Sequence, residues 1–239
     1  MTWRASVDWG RKLGYEEQGL DEANRDGMTL LAELREELER AGVTTVISGC
    51  VGPRDDGYDP SAFMNVEEAE GYHAVQVGTL ADTAADMVTV LTMTYVEEAI
   101  GATHAAKAAG MPCAISFTVE TDGRLPSGMS LKEAIEGVEA ASGDYPAYYM
   151  INCAHPTHFD HVLKAGDPWV HRIRGIRANA STMSHAELDE AEELDAGDPV
   201  DLAARYKALR AGLGHINVLG GCCGTDHGHI REIAKECSG

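Results

Sequence analysis

The sequence predicts an α/β fold in which helices cover a parallel sheet. Strand-length apolar stretches alternate with helix-length stretches along the chain, and the strand stretches are continuously apolar, as strands buried on both faces must be. In addition, Cys153, Cys222 and Cys223 follow strand stretches directly, at the end of a parallel sheet where sites are built.

The elements follow in order. From about 16 to 41, Leu31, Leu34, Leu38 and Ala41 recur at three and four and predict one face of a helix that Gly42 ends. "VTTVISG" is β-branched and apolar, a strand that stops at Gly49 before the loop "CVGPRDDGYDP". Val66, Ala69, His73, Val77 and Leu80 mark the next helix, "DMVTVLT" a strand, and "YVEEAIGATHAAKAAG" a helix closed by Gly110. "PCAISFTVE" is a strand, "SLKEAIEGVEAA" a helix opened by Ser130, and "AYYMIN" a strand. "PTHFDHVLKAG" reads as a short helix and "HRIRGIRANA" as a strand, and 184 to 213 as helix in two pieces broken near Gly197 and Pro199. "HINVLGG" is the last strand and "DHGHIREIAKEC" the last helix.

That makes six strands. Six fit either an open doubly wound sheet or a (β/α)8 barrel without its first two units, and periodicity does not choose between them. The 239 residues fit one domain spanning 1–239.

The formal charge is −20, with acidic residues spread over helical stretches such as "YEEQGLDEANRDG". A nucleic acid backbone would be repelled, and the acidity reads as a solvated surface. The amino-terminal stretch has no apolar signal-peptide core and no run approaches the roughly 20 apolar residues of a membrane span, so the expectation is a soluble, cytoplasmic protein. The six cysteines lack the regular spacing of a disulfide scaffold, which predicts reduced thiols.

Cys222 and Cys223 sit side by side in "LGGCCGTDHGHI". Extended backbone would send adjacent side chains to opposite faces, so a shared ligand requires a turn, for which Gly220, Gly221 and Gly224 offer positive φ. A metal such as zinc needs more ligands. Cys153 in "YYMINCAHP" is a third because it too follows a strand, and His155 is a further candidate. Cys50, Cys113 and Cys237 read as small buried hydrophobes, and the histidines of "DHGHI" as solvated or capping. Three thiolates around Zn2+ leave an open position and a net negative charge. Such a site acidifies water poorly but holds an incoming thiol as thiolate, which favours sulfur alkylation over hydrolysis.

These residues resemble the homocysteine S-methyltransferase family, whose zinc is held by one cysteine in an "NC" loop and a pair in "GGCCG"; here these are Asn152, Cys153, Gly221, Cys222, Cys223 and Gly224. "TWRAS", "SGCVGPRDDGY", "SFTVETDGRLPSG", "MINCAHP" and "RANAS" extend the similarity along the chain. The resemblance implies a (β/α)8 TIM barrel lacking its first two βα units, with Zn2+ on Cys153, Cys222 and Cys223, and Asn152, Thr92 and Gly221 at the substrate. It also implies transfer of a methyl group from a sulfonium or betaine-type donor to the thiol of homocysteine or a related thiol, in methionine biosynthesis. The expected partners are a small-molecule thiol acceptor and a methyl donor, with neither nucleic acid nor membrane; a homo-oligomer is left open. Where many relatives carry a Glu after the strand "DMVTVLT", this chain has Leu91, with Thr92 beside it, so Thr92 or Glu120 is left to hold the amino group. Tyr58, Tyr95 and Tyr149 are candidates to face a cationic donor, although ordinary packing also explains each. The alternatives are a zinc hydrolase and a truncated zinc-binding remnant without catalysis.

Overall fold

Residues 2–58 and 60–238 are described by a computed structural model. Six strands form one sheet: β1 (Ser48–Val51), β2 (Met87–Met93), β3 (Cys113–Phe117), β4 (Tyr148–Asn152), β5 (Ile173–Ala178) and β6 (Val218–Gly221). Their spatial order is the order of the chain, and every neighbouring pair is parallel. A doubly wound sheet reverses its strand order at a switch point. This one never reverses, so it winds in one sense as a barrel does, and the fold class is the (β/α)8-barrel type with six strands among the described residues.

The helices are α1 (Val7–Lys12), α2 (Glu17–Arg40), α3 (Val66–Ala81), α4 (Val96–Ala108), α5 (Leu131–Ser142), α6 (His185–Glu190), α7 (Pro199–Gly212) and α8 (His227–Cys237). Four begin in reciprocal capping boxes, Asn65 with Glu68, Ser130 with Glu133, Ser184 with Glu187 and Asp226 with His229, each satisfying two backbone donors that the first turn leaves free. The side chains of Val51, Val88, Val90, Ile115, Phe117, Ile151 and Ile176 are buried in the main core. The alternate positions, among them Ser48, Cys50, Thr89, Ser116, Asn152 and Arg177, lie outside that core on the concave face. No helix among the described residues is long and apolar enough to cross a membrane.

Helix α4 approaches α3 closely at Gly101, where an added Cβ would lie 2.4 Å from the Cβ of Ala69 and 2.6 Å from the amide nitrogen of Glu70. Backbone cannot yield as a flexible side chain can. Gly101→Ala is therefore expected to cost about 1–3 kcal/mol of stability by overpacking, read as a lower urea midpoint.

The structure refines the expected elements in four places. The first strand begins at Ser48 and runs through Gly49 to Val51, because the Ile47 amide donates to the Asp86 carboxylate at 2.7 Å instead of to a ladder partner. On α2 the buried residues are Leu20, Asn24 and Met28, while Leu34 and Leu38 are 44% and 43% exposed. A periodic stripe marks a face without naming its partner, and the helix packs on α1 and α3 mainly through its first half. The stretch from Pro156 forms two single 3-10 turns, Pro156–His158 and Asp160–Val162. Residues 191–198 separate α6 from α7, with Pro199 starting α7, where its missing N–H costs nothing.

Candidate metal centre

Strand β4 delivers Cys153 to the rim in a conformation that a residue with a Cβ adopts at a cost, φ 54°. The end of β5 and the start of α6 hold it there. The Cys153 amide donates to the Arg177 carbonyl at 3.2 Å, and its carbonyl accepts from Asn179 Nδ2 at 3.0 Å and from His185 Nε2 at 2.7 Å.

Strand β6 delivers the other two cysteines. The Cys222 amide donates to the Ala178 carbonyl at 2.8 Å, so pairing with the end of β5 continues one step past the strand. The chain then turns. The Cys223 amide donates to Asn179 Oδ1 at 3.2 Å, and the Cys223 carbonyl accepts from the Ala180 amide at 3.0 Å. Of the glycines expected to open this turn only Gly224 is left-handed, at φ 75°; Gly220 and Gly221 belong to β6. Those two are needed for space: a Cβ at Gly221 would sit 2.2 Å from Thr225 Oγ1, and one at Gly220 would press at 3.2 Å on the Arg177 side chain.

The three sulfurs all lie within 4.8 Å of one another, with Cys153 Sγ 3.8 Å from Cys223 Sγ. Tetrahedral zinc with Zn–S bonds of about 2.3 Å requires sulfur pairs about 3.8 Å apart, so the donor set fits such an ion. The electrostatics point the same way. Hydrogen bonding of the Cys153 thiol to Cys222 and Cys223, together with burial, pushes it well above its ordinary value. Hydrogen bonds received from Cys153 and Cys222, with a smaller one from Tyr58, hold Cys223 well below its ordinary value. Three thiolates this close repel each other, and a cation among them removes that cost.

Around the sulfurs, Tyr58 Oη donates to Cys223 Sγ at 3.5 Å, and its ring stacks on His185 at 4.0 Å between centroids. His185 Nδ1 lies 2.9 Å from Glu120 Oε1. Asn152 and Thr92 are bonded to each other: Asn152 Oδ1 accepts from the Thr92 amide at 2.9 Å and from Ser116 Oγ at 2.6 Å, and Asn152 Nδ2 donates to Thr92 Oγ1 at 2.8 Å. This pairing holds Thr92 at φ 64°. Gly221 offers its carbonyl to Arg177 Nε at 3.3 Å.

The other candidates fall elsewhere. His155 is buried with Nδ1 on Thr157 Oγ1 at 2.8 Å, and lies outside the sulfur group. Glu120 is half-buried against His185 and is not a freely solvated side chain. Tyr149 packs in the main core, and Tyr95 is buried with its hydroxyl accepting from the Met64 amide at 3.0 Å. Cys113 is fully buried as expected, Cys237 packs partly buried at the core edge, and Cys50 is half-buried on the concave face. His229 is buried and caps α8 with Asp226, while His227 is exposed. Sequence reasoning did not single out Asn179 or His185. Asn179 closes "IRAN" on the same rim, a strand-end position like that of Cys153; His185 carries no local signal.

The homocysteine S-methyltransferase family model matches residues 1–237. A methionine synthase of Mycobacterium tuberculosis (strain ATCC 25618 / H37Rv) is 27% identical over 224 residues, 88% of this chain and 18% of that protein, so the chain spans under a fifth of that relative's length. The crystal structure of the metallated form of the homocysteine methyltransferase MmuM from Escherichia coli superposes with a TM-score of 0.76 at 18% identity, covering 98% of this chain and 77% of that one. The oxidized form gives 0.79 at the same identity, over 100% and 77%. The likeness to these structures extends to the fold, while the family model runs from the first residue to beyond the cysteine pair, and the chain belongs to the homocysteine S-methyltransferase family.

Proposed function

We propose that the chain transfers a methyl group from a sulfonium or betaine-type donor to the thiol of homocysteine, with Cys153, Cys222 and Cys223 holding Zn2+. The observation that carries this reading is the convergence of those three sulfurs on one rim in a member of this family. Zinc held by thiolates supplies a place where an acceptor thiol is kept deprotonated and still nucleophilic at neutral pH. Asn179 bonds both cysteine loops and so sets their spacing. The Asn152–Thr92–Ser116 network closes the floor beside Cys222, with Asn152 Nδ2 3.9 Å from Cys222 Sγ. Tyr58 Oη donates to Cys223, the exposed member of the trio.

In the transfer, the sulfur lone pair forms the new S–CH3 bond as the bond from methyl to the cationic sulfur or nitrogen breaks; the electron pair leaves with a neutral sulfide or amine. Holding the two reactants in line supplies much of the rate. Free thiols at this spacing suit a reducing compartment, and we assign the protein to the cytoplasm.

The test is methionine formation by the zinc-loaded chain with homocysteine and, separately, S-methylmethionine, S-adenosylmethionine and betaine. Methionine is expected from at least one donor, with none from Cys223→Ser. A chain that carries stoichiometric zinc and yields no methionine from any of them overturns the proposal.

A further inference from the structure

Arg177 is the fifth-strand residue level with Asn152 on one side and Gly220 on the other. Its neighbours Ile176 and Ala178 are in the core, so its own side chain lies on the concave face. There it extends over Gly220, whose missing side chain leaves the room: a Cβ at 220 would be 3.2 Å from Arg177 Cγ and 3.5 Å from Nε. Nε donates to the Gly221 carbonyl at 3.3 Å, one residue before Cys222. The positive charge also reaches the Cys50 thiol across the same face and pulls it down, against a larger upward push from burial.

Arg177 has no ion-pair partner among the described residues, in a protein of charge −20. Of the other arginines, those at 11, 25, 35, 54, 172 and 205 are paired with carboxylates, and what sets Arg177 apart from the remaining unpaired ones is its bond to the backbone beside the cysteine pair. Thr89, Ser116, Met150 and Asn152 on the same face carry no charge, and Leu91 on β2 is apolar. The guanidinium fork has its Nε fixed on backbone and its terminal nitrogens free for an anion, beside the sulfur cluster.

We propose that Arg177 is the carboxylate-binding, specificity-determining residue of the thiol site, and that this site selects acceptors by their carboxylate and gains little from an α-amino group. Guanidinium binds carboxylate through two parallel N–H···O bonds, a geometry an ammonium or an amide does not reproduce. This inference rests on the proposed function, since it takes the sulfur cluster as the place where the acceptor thiol binds.

The experiment is calorimetric titration of the zinc-loaded chain with three thiols: homocysteine, 4-mercaptobutanoate, which lacks the amine, and 3-aminopropane-1-thiol, which lacks the carboxylate. Losing the carboxylate is expected to weaken binding about 10- to 100-fold, the size of a charge-assisted hydrogen-bond pair, and losing the amine by less than about threefold. Arg177→Met is expected to bring 4-mercaptobutanoate down to the level of 3-aminopropane-1-thiol and to leave the latter's affinity and the zinc content unchanged; Arg177→Lys is expected to restore part of the preference. Equal binding of the three thiols, an amine-dominated preference, or an unchanged preference in Arg177→Met overturns this inference and leaves the proposed function standing. Failure of every thiol to bind a zinc-loaded chain overturns both.

Discussion

Cys222→Ser is expected to lower zinc affinity by more than about 100-fold, since losing even an outer partner of a ligand costs roughly 10–100-fold and serine replaces a soft thiolate with a neutral hydroxyl. The measurement is the zinc-to-protein ratio after dialysis against a competing chelator, beside the thermal melt of the metal-free chain. The Cys222 backbone is held by the Ala178 carbonyl and by Thr225, contacts that serine keeps, so the metal-free melt is expected to stay the same. Stoichiometric zinc retained by the variant would remove Cys222 from the site.

Glu98→Ala is expected to be the most destabilising of the single substitutions considered. Glu98 is 1% exposed on α4, and its Oε1 accepts from the Arg54 amide at 2.7 Å and faces His73 Nε2, itself buried on α3, at 3.0 Å. Removing the carboxylate orphans the buried His73 ring nitrogen, at a cost of about 1–3 kcal/mol, and the part-buried Arg54 amide at less, for a total of about 2–4 kcal/mol. Arg54 belongs to the segment that carries Tyr58, so the same change is expected to loosen the Tyr58–Cys223 hydrogen bond. Chemical denaturation reads the first effect, and faster alkylation of Cys223 by a neutral thiol reagent reads the second. Glu98→Gln keeps an acceptor oxygen and is expected to cost less. A loss below about 1 kcal/mol for Glu98→Ala would show that water replaces the carboxylate.

What could be read from the sequence was whatever is local. The six strands follow from mainly apolar runs set between turn residues and helical stretches, and the Ser130 cap from its neighbours alone. The cysteine trio was also legible, because a strand end in a parallel sheet is a place as well as a pattern, and Cys153 and Cys222 each follow one. The ordering of the sheet was not: a doubly wound sheet and a barrel share the same alternation of elements and differ in which edge each new strand joins. Tertiary partners were equally hidden. Asn179 matters because its amide spans the two cysteine loops, His185 because it reaches Cys153 from α6, and the onset of β1 at Ser48 is set by Asp86 from the far end of the next helical unit. The apolar stripe of Leu34 and Leu38 shows the converse, a local pattern whose periodicity survives without burial.

X-ray absorption at the zinc edge reads whether three cysteine sulfurs form one metal centre with a place for an acceptor thiol. Three sulfur neighbours at about 2.3 Å are expected in the zinc-loaded chain, with one more appearing when homocysteine is added. A sulfur shell that homocysteine leaves unchanged, or one with fewer than three sulfurs before it is added, would contradict that expectation.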